Sequence, residues 1–399
     1  MTPLTIPKEF QDQLVLREND DRRTNAEILE SLGQYRRVAS EKNVWPFWHS
    51  GLTSMPQWCQ HNIVDWVRML GPSWTVRILD SVPDSPNNAL KYLDAELLPE
   101  TYVRGTMDGP YKGPHAADLL RGACLWQHGG VFMDVGNLLI RHLDRICWNQ
   151  LEDPSSPFRV SVPWMYGITM ANHFVAARKG DPFIKHWHDL FTYLWKDRTN
   201  YEGLIQSPLL TFAQDLTLDD SRASKFHWEF SVSDQTVFEY VTQVVCWMRI
   251  CMLEDPGDGR SDAFNGAKYW QKHVLIWDVL PENWGAEETL GFVGQKIYER
   301  LSGKRDADPE TEEYKEAYNL TWRLLTRSSM QKITHGKNLT ASVHLGTLWD
   351  ENAGKDCEPG TFAELLRDGT VHFEQTRPDI AYVEAPKPSK TLKKGVFEP

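Results

Sequence analysis

The chain has 399 residues, 41% of them hydrophobic and 25% charged, with a formal net charge of −12. That length and apolar fraction support a large buried core, and the acidic balance argues against wholesale binding to nucleic acid or anionic lipid, which needs a basic face. Six cysteines (Cys59, Cys124, Cys147, Cys246, Cys251 and Cys357) lack metal or redox spacing, and Met1–Arg23 has no apolar run of signal or anchor length, so a reduced, cytoplasmic protein with no membrane partner is expected.

Residues 1–42 read as a polar lead-in with one short helix, Asn25–Leu32. Asn43–Trp48 is the first strand, Pro56–Leu70 a helix with Trp58, Ile63, Trp66, Val67 and Leu70 on its apolar side, and Trp74–Leu79 a second strand. Strand, helix and strand in that order predict a right-handed crossover and a mainly parallel sheet. A Pro-rich loop and a Gly-rich stretch (105–114) follow, and then the helix that opens at His115. Further on, Phe158–Tyr166 and Asn172–Ala177 read as strands, and Asp181-Pro182 as the N-cap and first turn of a helix with an apolar stripe from Phe183 to Leu194. The region from Tyr201 to Glu254 reads as mostly helical, Val232–Met252 most strongly, followed by a Gly/Asp turn at 255–262 and a helix over Thr311–Met330. A single catalytic domain over 43–380, with helical insertions around 180–330 and a disordered tail at 384–399, is the expected organisation.

The chemistry is concentrated in one segment. His115-Ala-Ala-Asp118-Leu-Leu-Arg121 opens a helix that stops at Gly129-Gly130, and Val131-Phe-Met-Asp134-Val-Gly136 follows as a short apolar strand ending in a carboxylate. On a helical wheel Leu119, Leu120, Ala123 and Cys124 share one face, while Asp118 and Arg121 share the other. An acid and a base three residues apart commonly make only a surface ion pair. Placed just ahead of a strand tip, where open α/β sheets bind ligands, they become candidate site residues.

Asp118-x-x-Arg121 followed by Gly129-Gly130-Val-Phe-Met-Asp134 resembles the signature of sugar transferases with the GT-A fold. The wider run through Leu138-Leu-Ile-Arg-His-Leu-Asp144, together with Val44-Trp45-Pro-Phe47-Trp48 and Asn172-x-x-x-Ala-Ala-Arg178, is similar to the fungal capsular-polysaccharide-synthesis-like glycosyltransferases. The resemblance implies an α/β, GT-A-like nucleotide-diphospho-sugar transferase fold, with helices flanking the sheet and added to it. It also implies transfer of a hexose from a nucleotide-sugar donor of UDP type to a small-molecule or secondary-metabolite acceptor. A divalent cation, Mn²⁺ or Mg²⁺, would bridge the donor phosphates through a strand-end pair of acids. Asp134 stands at the first acidic position and Gly136 at the second.

By the same resemblance Asp118 and Arg121 would meet the donor's sugar and phosphates, and Trp45, Phe47 and Trp48 would shape the nucleoside pocket. Asp80 would reach a ribose or base, or simply brace a turn; Asn172 would reach the reaction centre, or only a loop backbone. Asp234, in Ser233-Asp234-Gln235, is the candidate second carboxylate, with helix capping by Ser233 or Asp234 as the plain reading. His344, or His335, would complete the metal ligands begun by Asp134, each with a structural reading beside it. A second function stays open: an arginine-containing cyclodipeptide synthase drawing on aminoacyl-tRNA, in which the acids at 118, 134 and 234 would hold a guanidinium.

Overall fold

The computed structural model describes residues 5–165, 167–257, 263–336 and 338–399. Its centre is an eight-stranded mixed sheet of β1 (Asn43–Trp45), β2 (Thr75–Val76), β3 (Gly130–Met133), β4 (Val160–Met165), β5 (Thr169–Met170), β6 (Phe174–Ala177), β7 (Val274–Asp278) and β8 (Tyr382–Val383). Across the sheet the order is β8-β7-β4-β6-β3-β1-β2, with β5 folded back on β4. The pairs β1/β2, β1/β3 and β4/β7 are parallel. Strand β6 runs antiparallel to both neighbours, so β2, β1, β3, β4 and β7 all point one way with β6 reversed among them. The expected mainly parallel sheet is present, with β6 reversed inside it and β5 and β8 added antiparallel to β4 and β7.

Side chains alternate across the strands, and both faces are covered. Val44, Val131, Met133, Phe174, Ala176, Leu275 and Trp277 enter one core, beneath α1 (Gln57–Leu70) and the C-terminal helices. Trp45, Phe132, Val160, Val162, Val175, Ala177 and Ile276 enter the other, beneath α2 (Lys112–His128), α3 (Pro182–Leu194) and α4 (Thr242–Met252). Asp181 caps α3 through bonds from Phe183 N (2.9 Å) and Ile184 N (3.1 Å), with Pro182 in the first turn, as the dipeptide predicts.

Gly130 marks the passage from α2 into β3. Its φ is 103°, and a Cβ there would come within 2.8 Å of the Glu41 carbonyl, so only glycine lets the chain enter the sheet beside β1. The helix expected over Val232–Met252 is two helices, Asp234–Tyr240 and α4, broken at Val241 (φ −96°, ψ 31°). Part of the turn expected at 255–262 lies outside the described residues.

Both ends depart from expectation. In the lead-in, Leu14–Leu16 pairs antiparallel with Phe373–Gln375, and Leu14, Ile28 and Leu32 are buried in the first core. The tail after 384 is not disordered: Trp270 Nε1 donates to Pro386 O (2.9 Å), Leu392 bridges to Leu253, and Val396 is buried. Its Pro- and Lys-rich composition suggested disorder, but the backbone carbonyls of its last residues serve a buried arginine, Arg249. No helix among the described residues is long and apolar enough to cross a membrane.

Candidate active site

The C-terminal ends of the five co-directional strands lie along one edge of the sheet. There Phe47 bridges to Leu79 just beyond β1 and β2, and Asp134 follows β3. Because β6 is reversed, its N-terminal side reaches the same edge, and Asp134 N donates to His173 O (2.9 Å). Helix α2 feeds β3 directly, which carries Asp118 and Arg121 to that edge as well. They are not the surface ion pair that such spacing commonly makes, being 7% and 2% exposed. The first turn of helix α4 presents Gln243 to the polar side of α2.

Arg121 is the hub. Its Nη1 bonds Asp118 Oδ1 and Gln243 Oε1, and its Nη2 reaches Asp134 Oδ1 at 3.1 Å. Its guanidinium also lies 4.8 Å above the Phe132 ring. Asn172 Nδ2 donates to Asp118 Oδ1 (3.1 Å) and Gln243 Oε1 (3.0 Å), and Gln243 Nε2 returns a bond to the Asp118 carbonyl. On the outer side Lys332 Nζ donates to Asp134 Oδ2 at 2.8 Å.

This arrangement separates the two carboxylates. Burial pushes Asp118 up to about 6, and the Arg121 guanidinium offsets only part of that. Burial acts on Asp134 too, but Lys332 and then Arg121 outweigh it and hold the carboxyl below its usual range. His173, beside them, is pushed down to about 3 by burial and then by Lys332, so its ring is neutral, with Nε2 2.7 Å from Asn283 Nδ2.

The residues present do not fit a divalent ion. Asp134 has one oxygen on Arg121 and the other on Lys332. At Gly136 an added Cβ would come within 2.7 Å of the Ile333 carbonyl, because Met330–Lys332 pairs with Asn137–Leu139 and Ile333 N bonds Gly136 O at 2.7 Å. A second acid has no room there. His344 is no substitute: its Nε2 is 2.7 Å from Thr340 Oγ1 and its ring packs on Trp228. His335 Nε2 sits 3.0 Å from Asp350. Among the described residues the one cluster of potential metal ligands, His61, Asp356 and Cys357, lies elsewhere.

The other candidates divide. Asn172 joins the network. Asp234 does not: Ser233 caps its helix through Thr236 N, and Asp234 Oδ2 accepts from Leu218 N (2.8 Å). No ion pair or hydrogen bond among the described residues ties it to Asp118, Arg121 or Asp134. Trp45 is wholly buried, its Nε1 donating to Gly129 O (2.9 Å), because β1 is an interior strand covered on both faces. Phe47 is buried too, so of the three aromatic residues Trp48 is the one with appreciable exposure. Asp80 braces a turn, taking bonds from Val82 N (3.1 Å) and Ser85 Oγ (2.6 Å). Sequence reasoning missed Gln243, His173 and Lys332. His173, next to Asn172, was within reach of it; the other two carry no local signal.

The chain is similar to several known proteins. Residues 7–211 match the family model described as capsular polysaccharide synthesis protein. The chain is 52% identical over 395 residues to the probable glycosyltransferase FCK3 of Fusarium pseudograminearum, covering 98% of this chain and 99% of that protein. It is 38% identical to the O-glycosyltransferase braB of Annulohypoxylon truncatum, covering 95% and 91%. It is 36% identical to the glycosyltransferase afumC of Aspergillus fumigatus, covering 96% and 98%. Among solved structures, the PaToxG glycosyltransferase is similar at 15% identity and a TM-score of 0.30, covering 55% of this chain and 83% of that one.

Proposed function

The chain belongs to the capsular polysaccharide synthesis protein family and is a transferase, and from that premise we propose that it is a GT-A-type glycosyltransferase moving a hexose from a UDP-type nucleotide sugar to a hydroxyl of a small secondary-metabolite acceptor. The observation that carries the proposal is the convergence of Asp118, Arg121, Asp134 and Asn172 at the strand-end edge of the sheet. In this reading the acceptor oxygen bonds to the anomeric carbon as the bond from that carbon to the diphosphate breaks. The electron pair leaves on the diphosphate, and the acceptor's hydroxyl proton departs with the nucleoside diphosphate. Asp118 takes donor hydroxyls on its carboxylate, while Arg121, held rigid on three sides, offers fixed positive charge where the leaving group develops negative charge. Trp48 is the aromatic residue left to flank the nucleoside.

The cyclodipeptide alternative keeps the departure from the donor motif at Gly136 but loses the support of its acidic pocket. The acidic pocket meant for a substrate guanidinium is filled by the chain's own Arg121 and Lys332, and Asp234 lies apart. The test is to feed nucleotide sugars and the metabolites of an expressing host to the purified chain and to look by mass spectrometry for products heavier by one hexose. Arg121→Lys, which breaks the forked contacts, is expected to lower transfer by roughly 10²-fold. An arginine-containing cyclic dipeptide in the expressing host, with no sugar adduct and no donor hydrolysis, would overturn the proposal.

A further inference from the structure

Lys332 stands where the expected metal would be needed, and one structural element accounts for both facts. The segment Met330–Lys332 pairs with Asn137–Leu139 and continues past Gly136, bringing the Ile333 carbonyl so close that position 136 admits no side chain. The same segment delivers the Lys332 ammonium to Asp134 Oδ2 at 2.8 Å. Loss of the second acid and gain of a cation are therefore one packing event.

Burial decides which of the two cations can swing onto a ligand and which can act only from where it stands. Arg121 has a 3% exposed side chain and is committed to three partners, whereas Lys332 and Asp134 have side chains 14% and 30% exposed and form the outer rim of the network. An ammonium on a four-carbon stem can turn from a carboxylate toward an arriving diphosphate without rearranging the fold.

We propose that Lys332 neutralises the leaving diphosphate in place of a divalent cation, so that donor binding and transfer are metal-independent. This rests on the glycosyltransferase reading above. During transfer the bond between the anomeric carbon and the diphosphate oxygen breaks, and Lys332 Nζ donates to the oxyanion that keeps the electron pair; the ammonium itself is neither consumed nor deprotonated.

The experiment titrates UDP, and uridine as the ligand lacking phosphates, into the full chain by calorimetry, with chelator and then with Mn²⁺. UDP is expected to bind in chelator, with an affinity that Mn²⁺ changes by less than about threefold. Lys332→Met should weaken UDP at least roughly tenfold while leaving uridine unchanged, and Lys332→Arg should restore much of the loss, as expected for a charged contact. Transfer kinetics should show the Lys332→Met defect mainly in kcat, and thermal melting separates a folding failure from a lost contact. UDP binding that requires Mn²⁺, or is the same in Lys332→Met as in the wild type, would overturn this inference alone. If UDP binds neither with nor without metal, the donor reading falls and takes the inference with it.

Discussion

Asp118 and Asp134 are both carboxylates of the same network, yet their surroundings push them in opposite directions, and this has consequences for pH. Burial raises Asp118 to about 6, whereas Lys332 and Arg121 keep Asp134 ionised well below that. As pH falls through about 6, Asp118 gains a proton and stops accepting charge-assisted bonds from Arg121. kcat/KM should therefore fall on the acid side with an apparent pKa near 6, and Asp118→Asn should be poorly active at every pH without that limb. The folded carboxyl binds its proton more tightly than the unfolded chain does, so at this group acidification favours the folded state. Rate profiles and melting curves over the same pH range should thus diverge, with activity lost before any loss of stability traceable to Asp118. A joint loss would place the acid limb in another group.

At the scale of elements, what could be read from the sequence was whatever sits within one helix-to-strand passage. Asp118, Arg121 and Asp134 lie on α2 and at the end of β3, so spacing and the double glycine were enough to group them. Gln243 and Lys332 reach the same network across 122 and 198 residues, from a helix and a strand whose own patterns say nothing about their partners. Trp45 misled for a related reason: an aromatic residue near a strand end suits a pocket or a core, and only the pairing of β1 with both β2 and β3 decides for the core. Gly136 is where local and distant elements meet. Sequence shows a missing acid; the fold shows a carbonyl 2.7 Å from any Cβ placed there. Gly136→Asp should accordingly not rebuild a metal site. It should part the ribbon between Asn137–Leu139 and Met330–Lys332, cost about 1–3 kcal/mol in denaturant unfolding, and lower transfer with or without added Mn²⁺. A gain of Mn²⁺-stimulated activity in that variant would show that the ribbon yields and the site accepts an ion after all.

At the scale of the whole molecule, the chain ends close the structure rather than trail from it. Arg249 on α4 is 2% exposed and depends on carbonyls: Leu209 O at 2.8 Å, Val396 O at 3.3 Å from Nη2, and Glu398 O. Two of those three acceptors belong to the last residues of the chain, and Val396 itself fills the core beside them. Deleting Gly395–Pro399 would leave the guanidinium buried with one carbonyl, at a cost of about 1–3 kcal/mol for the unmet bonds, visible as a lower denaturant midpoint. The same helix presents Gln243 to Arg121, but that end has its own fastening, since Trp187 Nε1 donates to Gln243 O at 2.8 Å and the Trp187 and Trp247 rings pack edge to face at 5.0 Å. Well below its unfolding midpoint the truncated chain should therefore keep the wild-type kcat. A fall in kcat together with stability would mean that the tail sets the position of Gln243 through α4 and belongs to the machinery of the site.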